Sequence, residues 1–306
     1  MSVQKTLRSR HFVMFSHSLI RSLVPRLRAF SCVAVLMIIL PHSFELLGAE
    51  TINISCPAQS LQGAIDRAQL GDTIRVSGVC GENVVVRDDK QRVVIDGGSV
   101  ASVNGFDVRG KEISIRNFAS IRGGSVGIHV HLSSTAVLHN NVIQYAGEGI
   151  RIDERSSAII TSNVVNNNGT GIAVNNNSDA RIGADGDSKL TGANIVTNNT
   201  FGVIIDQSHA VIKGNTISNS LIGIGIWETS RGEIEANTIE GNLMSAILVM
   251  NRSEAAISNN SGSSDGVAVH CTYGGRVVGG LYHLTGKVFP KVVELDCVDE
   301  LSLEEK

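Results

Sequence analysis

Large rings and prolines are scarce in this sequence, whose 306 residues hold 8 Phe, 3 Tyr, 1 Trp and 4 Pro. A chain so poor in aromatics argues against the deep cleft of a carbohydrate enzyme, and it sets its one tryptophan, Trp227, apart. The few prolines exclude a Pro-rich spacer, and no low-complexity tract marks a linker. Basic charge is in no excess: 26 Lys+Arg face 29 Asp+Glu for a net charge of −3, so nucleic acid is not an expected partner. The apolar run from Cys32 to Leu40 stops at Pro41 and is too short to span a bilayer.

Arg8, Arg10, Arg21, Arg26 and Arg28 precede that run, and Leu47-Gly48-Ala49 follows it as a candidate cleavage site. Residues 1–49 therefore read as a secretory signal, with an uncleaved anchor as the alternative. Their removal leaves 20 basic and 28 acidic residues, a net charge of −8 on residues 50–306. The expected destination is secreted or periplasmic, with no membrane span after cleavage. Mass spectrometry of the exported protein is expected to find the N-terminus near Glu50; a retained leader would support the anchor.

Five cysteines are present, and Cys32 goes with the leader. The other four form two pairs local in sequence, Cys56 with Cys80 and Cys271 with Cys297, one near each end. In an exported chain an even count favours disulfides, and neither pair has the close spacing of a zinc knuckle.

What is abundant is periodic. Gly105, Gly127, Gly149 and Gly171 are spaced 22 residues apart, each followed by an apolar-any-apolar triplet such as Phe106-Asp107-Val108 or Ile150-Arg151-Ile152. The triplet returns at Gly202, Gly223, Ala246 and Gly266, with extra residues between Gly183 and Ala193. Two further columns keep time with it. One is Asn-x-apolar, beginning at Asn141, Asn163, Asn194, Asn215 and Asn237; the other is a small residue two before an aliphatic one, as in Ala136/Leu138 and Ala158/Ile160. Three short strands per repeat, with Asn, Gly and Ser corners and no helical period, predict a solenoid, because crossovers of an ordinary parallel sheet need a dozen or more residues. Ile128, Ile150, Ile172, Val203, Ile224, Ile247 and Val267 are expected to form one buried stack, with the asparagines lining a corner.

These repeats, together with Cys56-Pro57-Ala58-Gln59-Ser60-Leu61-Gln62-Gly63-Ala64-Ile65 and Leu70-Gly71-Asp72-Thr73-Ile74-Arg75-Val76, resemble the right-handed parallel β-helix proteins of the pectin lyase-like superfamily. The resemblance runs from Thr51 to about Cys297. It implies an all-β, single-stranded right-handed parallel β-helix of about 22 residues per coil, its N-terminal end closed by a short helix as an open solenoid end requires. Coils are expected over residues 73–280 and a C-terminal capping segment over 281–306, all in one domain of residues 50–306. The scaffold hosts enzymes, adhesins and inert spacers, so it implies little about chemistry.

Alternation turns the second and fourth residues after each glycine outward. One column then reads His129, Arg151, Ala173, Ile204, Gly225, Leu248, Ala268, and the other His131, Asp153, Asn175, Asp206, Trp227, Met250, His270. Its N-terminal half is ionisable and its C-terminal half apolar. A polysaccharide, the ligand the resemblance implies, would meet Arg151 as partner of a uronate carboxylate, with His129 beside it, Asp153 and Asp206 as acid and base, and His131 as proton relay. Two coils put the aspartates roughly 9 to 10 Å apart, the long end of the range for an inverting glycosidase. The same residues also suit plain charge pairing on a solvated sheet, with His131 beside Asp153. Trp227 and Glu228 suit a stacked sugar ring; the alternative is a cover formed by the segment from Val288 to Leu295. Asp185-Gly186-Asp187, with Asp179 nearby, is a calcium candidate or a polar turn, and no other cofactor is expected. The sequence thus reads as an exported polysaccharide-binding β-helix, with cleavage by a lyase or hydrolase mechanism open. Minimal loops favour the rival, a non-catalytic envelope or adhesive scaffold.

Overall fold

Short strands separated by tight corners have no partner within their own coil, so each must pair with its equivalent one coil away. A computed structural model describes residues 48–184, 192–280, 283–289 and 295–296. Within them the chain winds as a right-handed parallel β-helix with two sheets of 12 and 16 strands. The 12-stranded sheet stacks the small-x-aliphatic strands. The larger sheet unites the Asn-x-apolar and Gly-led strands, which the long strands Ser102–Val108 and Ser261–Cys271 bridge. Among described residues, only the final pairing, Arg276 and Val277 with Asp296 and Leu295, is antiparallel.

The predicted apolar stack holds over six coils. Ile128, Ile150, Ile172, Val203, Ile224 and Ile247 pair in succession and are fully buried. The seventh assignment is corrected: Val269, not Val267, pairs with Ile247, and Val267 pairs with Ser245. Ala246 stands in the glycine column, and the residue 22 further on is Ala268, also fully buried. Gly266 is a glycine for another reason, since a Cβ there would lie 2.2 Å from the Met244 carbonyl oxygen.

Buried polar ladders run beside the core. In the predicted asparagine column, each Oδ1 accepts from the backbone N–H of the asparagine one coil earlier, from Asn141–Asn163 through to Asn237–Asn260. A serine ladder unforeseen from the repeat does the same: the N–H groups of Ser134, Ser156, Ser178, Ser208 and Ser230 each donate to the next serine hydroxyl. The corners preceding these serines hold left-handed residues, such as Glu154, Arg155, Asn176 and Asn177. The serines that follow are buried, and their N–H groups need such partners.

The N-terminal cap matches the expectation. Ser60 caps the helix Leu61–Arg67, whose Leu61, Ala64 and Ile65 seal the core. Glu82 accepts from the N–H groups of Leu61 and Gln62, while Lys90 Nζ donates to the carbonyls of Asp66 and Ala68 at the other end. A strand not foreseen, Thr51–Ser55, precedes the helix and pairs with Thr73–Ser77. Cys56 and Cys80 are joined, with Cα atoms 5.1 Å apart. Cys271 is buried and disulfide-bonded; Cys297 lies outside the described residues, as do Asp185 and Asp187 of the insertion.

Candidate functional site

The Gly-led strands present their outward residues on one face of the 16-stranded sheet. A glycine is needed where each strand begins: a Cβ on Gly149 would stand 2.7 Å from the Gly171 carbonyl oxygen and 2.8 Å from a methyl of Val165. In register the first outward column runs Asp107, His129, Arg151, Ala173, Ile204, Gly225, Leu248, His270. His270 thus moves from the second column to the first, in place of Ala268. Asp107 and its neighbour Arg109 extend the ionisable half by a coil that sequence reading missed, although the triplet Phe106-Asp107-Val108 carried the signal.

The ionisable half is internally paired. Arg151 reaches Asp153 Oδ2 through Nε at 2.9 Å and a terminal nitrogen at 2.7 Å, and Glu148 at 3.2 Å. Asp153 Oδ1 accepts from Asn176 Nδ2 at 2.7 Å and from the Glu154 N–H at 2.9 Å. With a side chain only 6% exposed, this carboxylate is saturated. Burial raises its pKa, but the hydrogen bonds from Asn176 and Arg151 and the arginine charge outweigh it, so Asp153 stays below the ordinary carboxylate range. Asp107 is held low in the same way: burial is overcome by Arg109 and by His131, whose Nε2 lies 2.7 Å away. His131, next to Asp153 in the column, therefore pairs with Asp107 and lies near Glu154, and it is His129 Nε2 that comes within 3.8 Å of Asp153.

His129 stacks on His131 with ring centroids 4.0 Å apart and planes 6° from parallel. Its Nε2 is buried without a hydrogen-bond partner. Burial, then the neighbouring His131 and Arg151, push its pKa below the usual 6.5. A base with a depressed folded pKa contributes stability that is present above 6.5 and lost as pH falls through the folded value. Asp107 and Asp153 contribute stability present above 3.8 and lost as pH falls through their own lower values. His139, lowered by burial and by Arg116, acts in the same sense as His129, so thermal unfolding is expected to show two successive acid losses, and His129→Gln is expected to diminish the first while leaving the second. An unchanged first step in that variant would reject the assignment.

The other half of the face is apolar with polar edges. Ile204 and Leu248 are almost wholly covered although they point outward. Trp227 follows Asp206 in register and turns its indole back over Gly225: a Cβ on that glycine would lie 2.7 Å from Nε1. Phe201 meets the indole edge-on at 5.7 Å. Nε1 of Trp227 and Oδ1 of Asp206 are both shielded from water, and both lack a hydrogen-bond partner. Burial and then the nearby Glu228 raise the pKa of Asp206. Glu228, in the left-handed turn after the strand, accepts from Asn251 Nδ2. The expected C-terminal cover is not formed by Val288 and Phe289: these pair with Val269 and His270 and continue the sheet.

Asp153 and Asp206 stand in one column with Asn175 between them. Two shallow depressions beside the face, of about 660 and 700 Å³, share Asn177 and Gln207 and follow the stacked left-handed turns. Neither is lined by Arg151, Asp153, Asp206 or Trp227, so they do not join the two aspartates in a groove. Among the described residues no group of three or more His, Cys, Asp or Glu converges as metal ligands, and Asp179 is occupied by His209 at 2.6 Å. No described helix is long and apolar enough to cross a membrane.

No curated protein matches the chain. Among solved structures it is similar to the A-module of mannuronan C-5 epimerase AlgE4 from Azotobacter vinelandii, at 12% identity and a TM-score of 0.42, covering 80% of this chain and 89% of that one. The A-module of the AlgE6 epimerase from the same organism is similar to the same degree, at 12% identity and a TM-score of 0.42, over 78% and 88% of the two chains. Likeness this distant says nothing about chemistry. The family described as "Periplasmic copper-binding protein (NosD)" matches residues 59–261, about two thirds of the chain and most of the described coils. The chain therefore belongs to the NosD family of periplasmic β-helix proteins.

Proposed function

We propose that this protein binds a glycan on its Gly-led face at the Trp227 end and does not cleave it. The observation that supports this reading is the adjacency of two shielded, unpartnered polar atoms, Trp227 Nε1 and Asp206 Oδ1, beside an apolar strip. A donor or acceptor left unpaired away from water costs about 1 to 3 kcal/mol. A ligand that draws the two side chains outward, offering a hydroxyl to each and an apolar ring face to the indole, relieves that cost. The aspartate of the ionisable half is poorly suited to acid–base work, because all of Asp153's near partners already engage it. Arg151 would have to leave Glu148 and Asp153 to receive a uronate. Asp153 instead ties its coil to the next through Asn176, as a scaffold requires.

The copper in the family's description finds no fitting donor set among the described residues. Cys56, Cys80 and Cys271 are disulfide-bonded and offer no thiolate. The parallel rings of His129 and His131 cannot aim their in-plane lone pairs at one ion, and Asp107 already holds His131 Nε2.

The test is a glycan array followed by titration of Trp227 fluorescence and product analysis. Binding without turnover is expected, with affinity falling about tenfold or more in Trp227→Ala. Gly225→Ala should shift the emission by pushing the indole off its seat. Shortened products that vanish in Asp153→Asn would restore the acid–base reading. An array with no binder and an unmoved Trp227 would leave the scaffold.

A further inference from the structure

Resting on that reading, we infer that the bound glycan carries free amino groups, with an ammonium lodged between Asp206 and Glu228 against the Trp227 indole. Two carboxylates flank the indole. Asp206 lies one strand below Trp227 and Glu228 follows it in the chain, and no described basic side chain pairs with either carboxylate. The two acidic groups lie close enough to oppose each other's ionisation. A cation between them removes that repulsion and, as the carboxylate turns to meet it, supplies the missing partner of Asp206 Oδ1.

An indole face attracts cations through its quadrupole, and Trp is the best of the aromatic residues at doing so. A sugar bearing an ammonium can use both features of the site at once, its ring on the indole and its charge between the carboxylates. A uronan meets the opposite conditions. The nearest arginines in the outward columns, Arg109 and Arg151, are committed to Asp107 and to Asp153 with Glu148. A carboxylate at Trp227 would face two acids, and Arg231 and His209, the cations that share a depression with Glu228, are turned to Glu254 and Asp179. The electrostatics thus reverse the uronate expectation drawn from Arg151 in the sequence.

The experiment compares short β-1,4-linked glucosamine oligomers, the same oligomers N-acetylated, and oligouronates of matched length, by calorimetry and Trp227 fluorescence. Glucosamine oligomers are expected to bind at least tenfold tighter than the acetylated ones, and oligouronates not at all. Asp206→Asn should cost at least tenfold for the amine form and leave the acetylated form within threefold, while Glu228→Gln should weaken the amine form less. Binding of the amine form should also decline with added salt, since part of it is charge attraction.

Equal or tighter binding of acetylated or uronate oligomers would overturn the amine inference and leave glycan binding standing. No response to any of the three classes would overturn both. A net charge of −8 on residues 50–306 also attracts any polycation. Amine binding unchanged in both Trp227→Ala and Asp206→Asn would be such attraction, and would reject the site. Thermal unfolding of Asp206→Asn confirms that the variant is folded, because removing a poorly solvated charge is not expected to destabilise it.

Discussion

Asn194→Ala is expected to lower the unfolding free energy by about 3 to 5 kcal/mol, and Asn194→Asp to lower it further at neutral pH. Asn194 is fully buried in the middle of the ladder. Its Oδ1 accepts from the backbone N–H of Asn163 at 2.9 Å and from Asn163 Nδ2 at 3.0 Å. Its own Nδ2 donates to the Ile160 carbonyl at 2.8 Å and to Asn215 Oδ1 at 2.9 Å. Alanine removes four hydrogen bonds and leaves the buried Asn163 N–H without a partner. A carboxylate keeps the acceptor but turns an anion toward the oxygens of Ile160 and Asn215.

That anion is disfavoured in the fold, so the aspartate's folded pKa is raised. A group of this kind costs least below its unfolded pKa and most above its folded pKa. The Asn194→Asp variant should therefore recover stability relative to wild type as pH falls, the opposite of the trend set by Asp153 and His129. Urea unfolding at several pH values measures both effects. A variant as stable as wild type at pH 7 would mean that the ladder contributes little.

Gly171→Val should be comparably damaging, by about 3 kcal/mol or more, because its first added atom already has no room. A Cβ at position 171 would lie 2.6 Å from the Gly202 carbonyl oxygen, 2.8 Å from a methyl of Val196 and 3.0 Å from Asn199 Nδ2. The obstacle is chiefly backbone of the next coil, which can yield only if the stack opens. The coil involved separates the two halves of the outward face, with Asp153 on one side and Asp206 on the other. Loss of ligand response at Trp227 is expected to accompany the loss of stability. Gly63→Ala, on the capping helix, has contacts of 3.5 Å or more and serves as the mild comparison. Equal unfolding midpoints for the two variants would refute the packing argument.

The repeat was legible because stacking demands identity at equivalent places. Ile150 lies over Ile128 and under Ile172, and a residue of another shape there would leave a void or a clash in two coils. One strand was misread at Gly266, where residue type was followed and spacing was not. The column tolerates alanine at Ala246, so the next member is Ala268. The buried serines escaped notice for a related reason: a Ser in a polar corner looks like any surface residue until its hydroxyl is found under the N–H one coil away.

The sequence by itself determined the coil, its period of about 22 residues, the N-terminal cap with its Cys56–Cys80 bridge, and the division of the outward face into ionisable and apolar halves. Each of these depends on the type and spacing of residues along the chain, and backbone pairing carries them into three dimensions. Only the tertiary structure decided who pairs with whom on that face. It gave Asp153 to Arg151 and Asn176, gave His131 to Asp107, and left Asp206 Oδ1 and Trp227 Nε1 without hydrogen-bond partners. Columns state which residues are neighbours, but a hydrogen bond depends on rotamer and reach over an ångström or less. At that scale a saturated ion pair and an unpaired donor beside an unpaired acceptor differ, although both are written in the same residues.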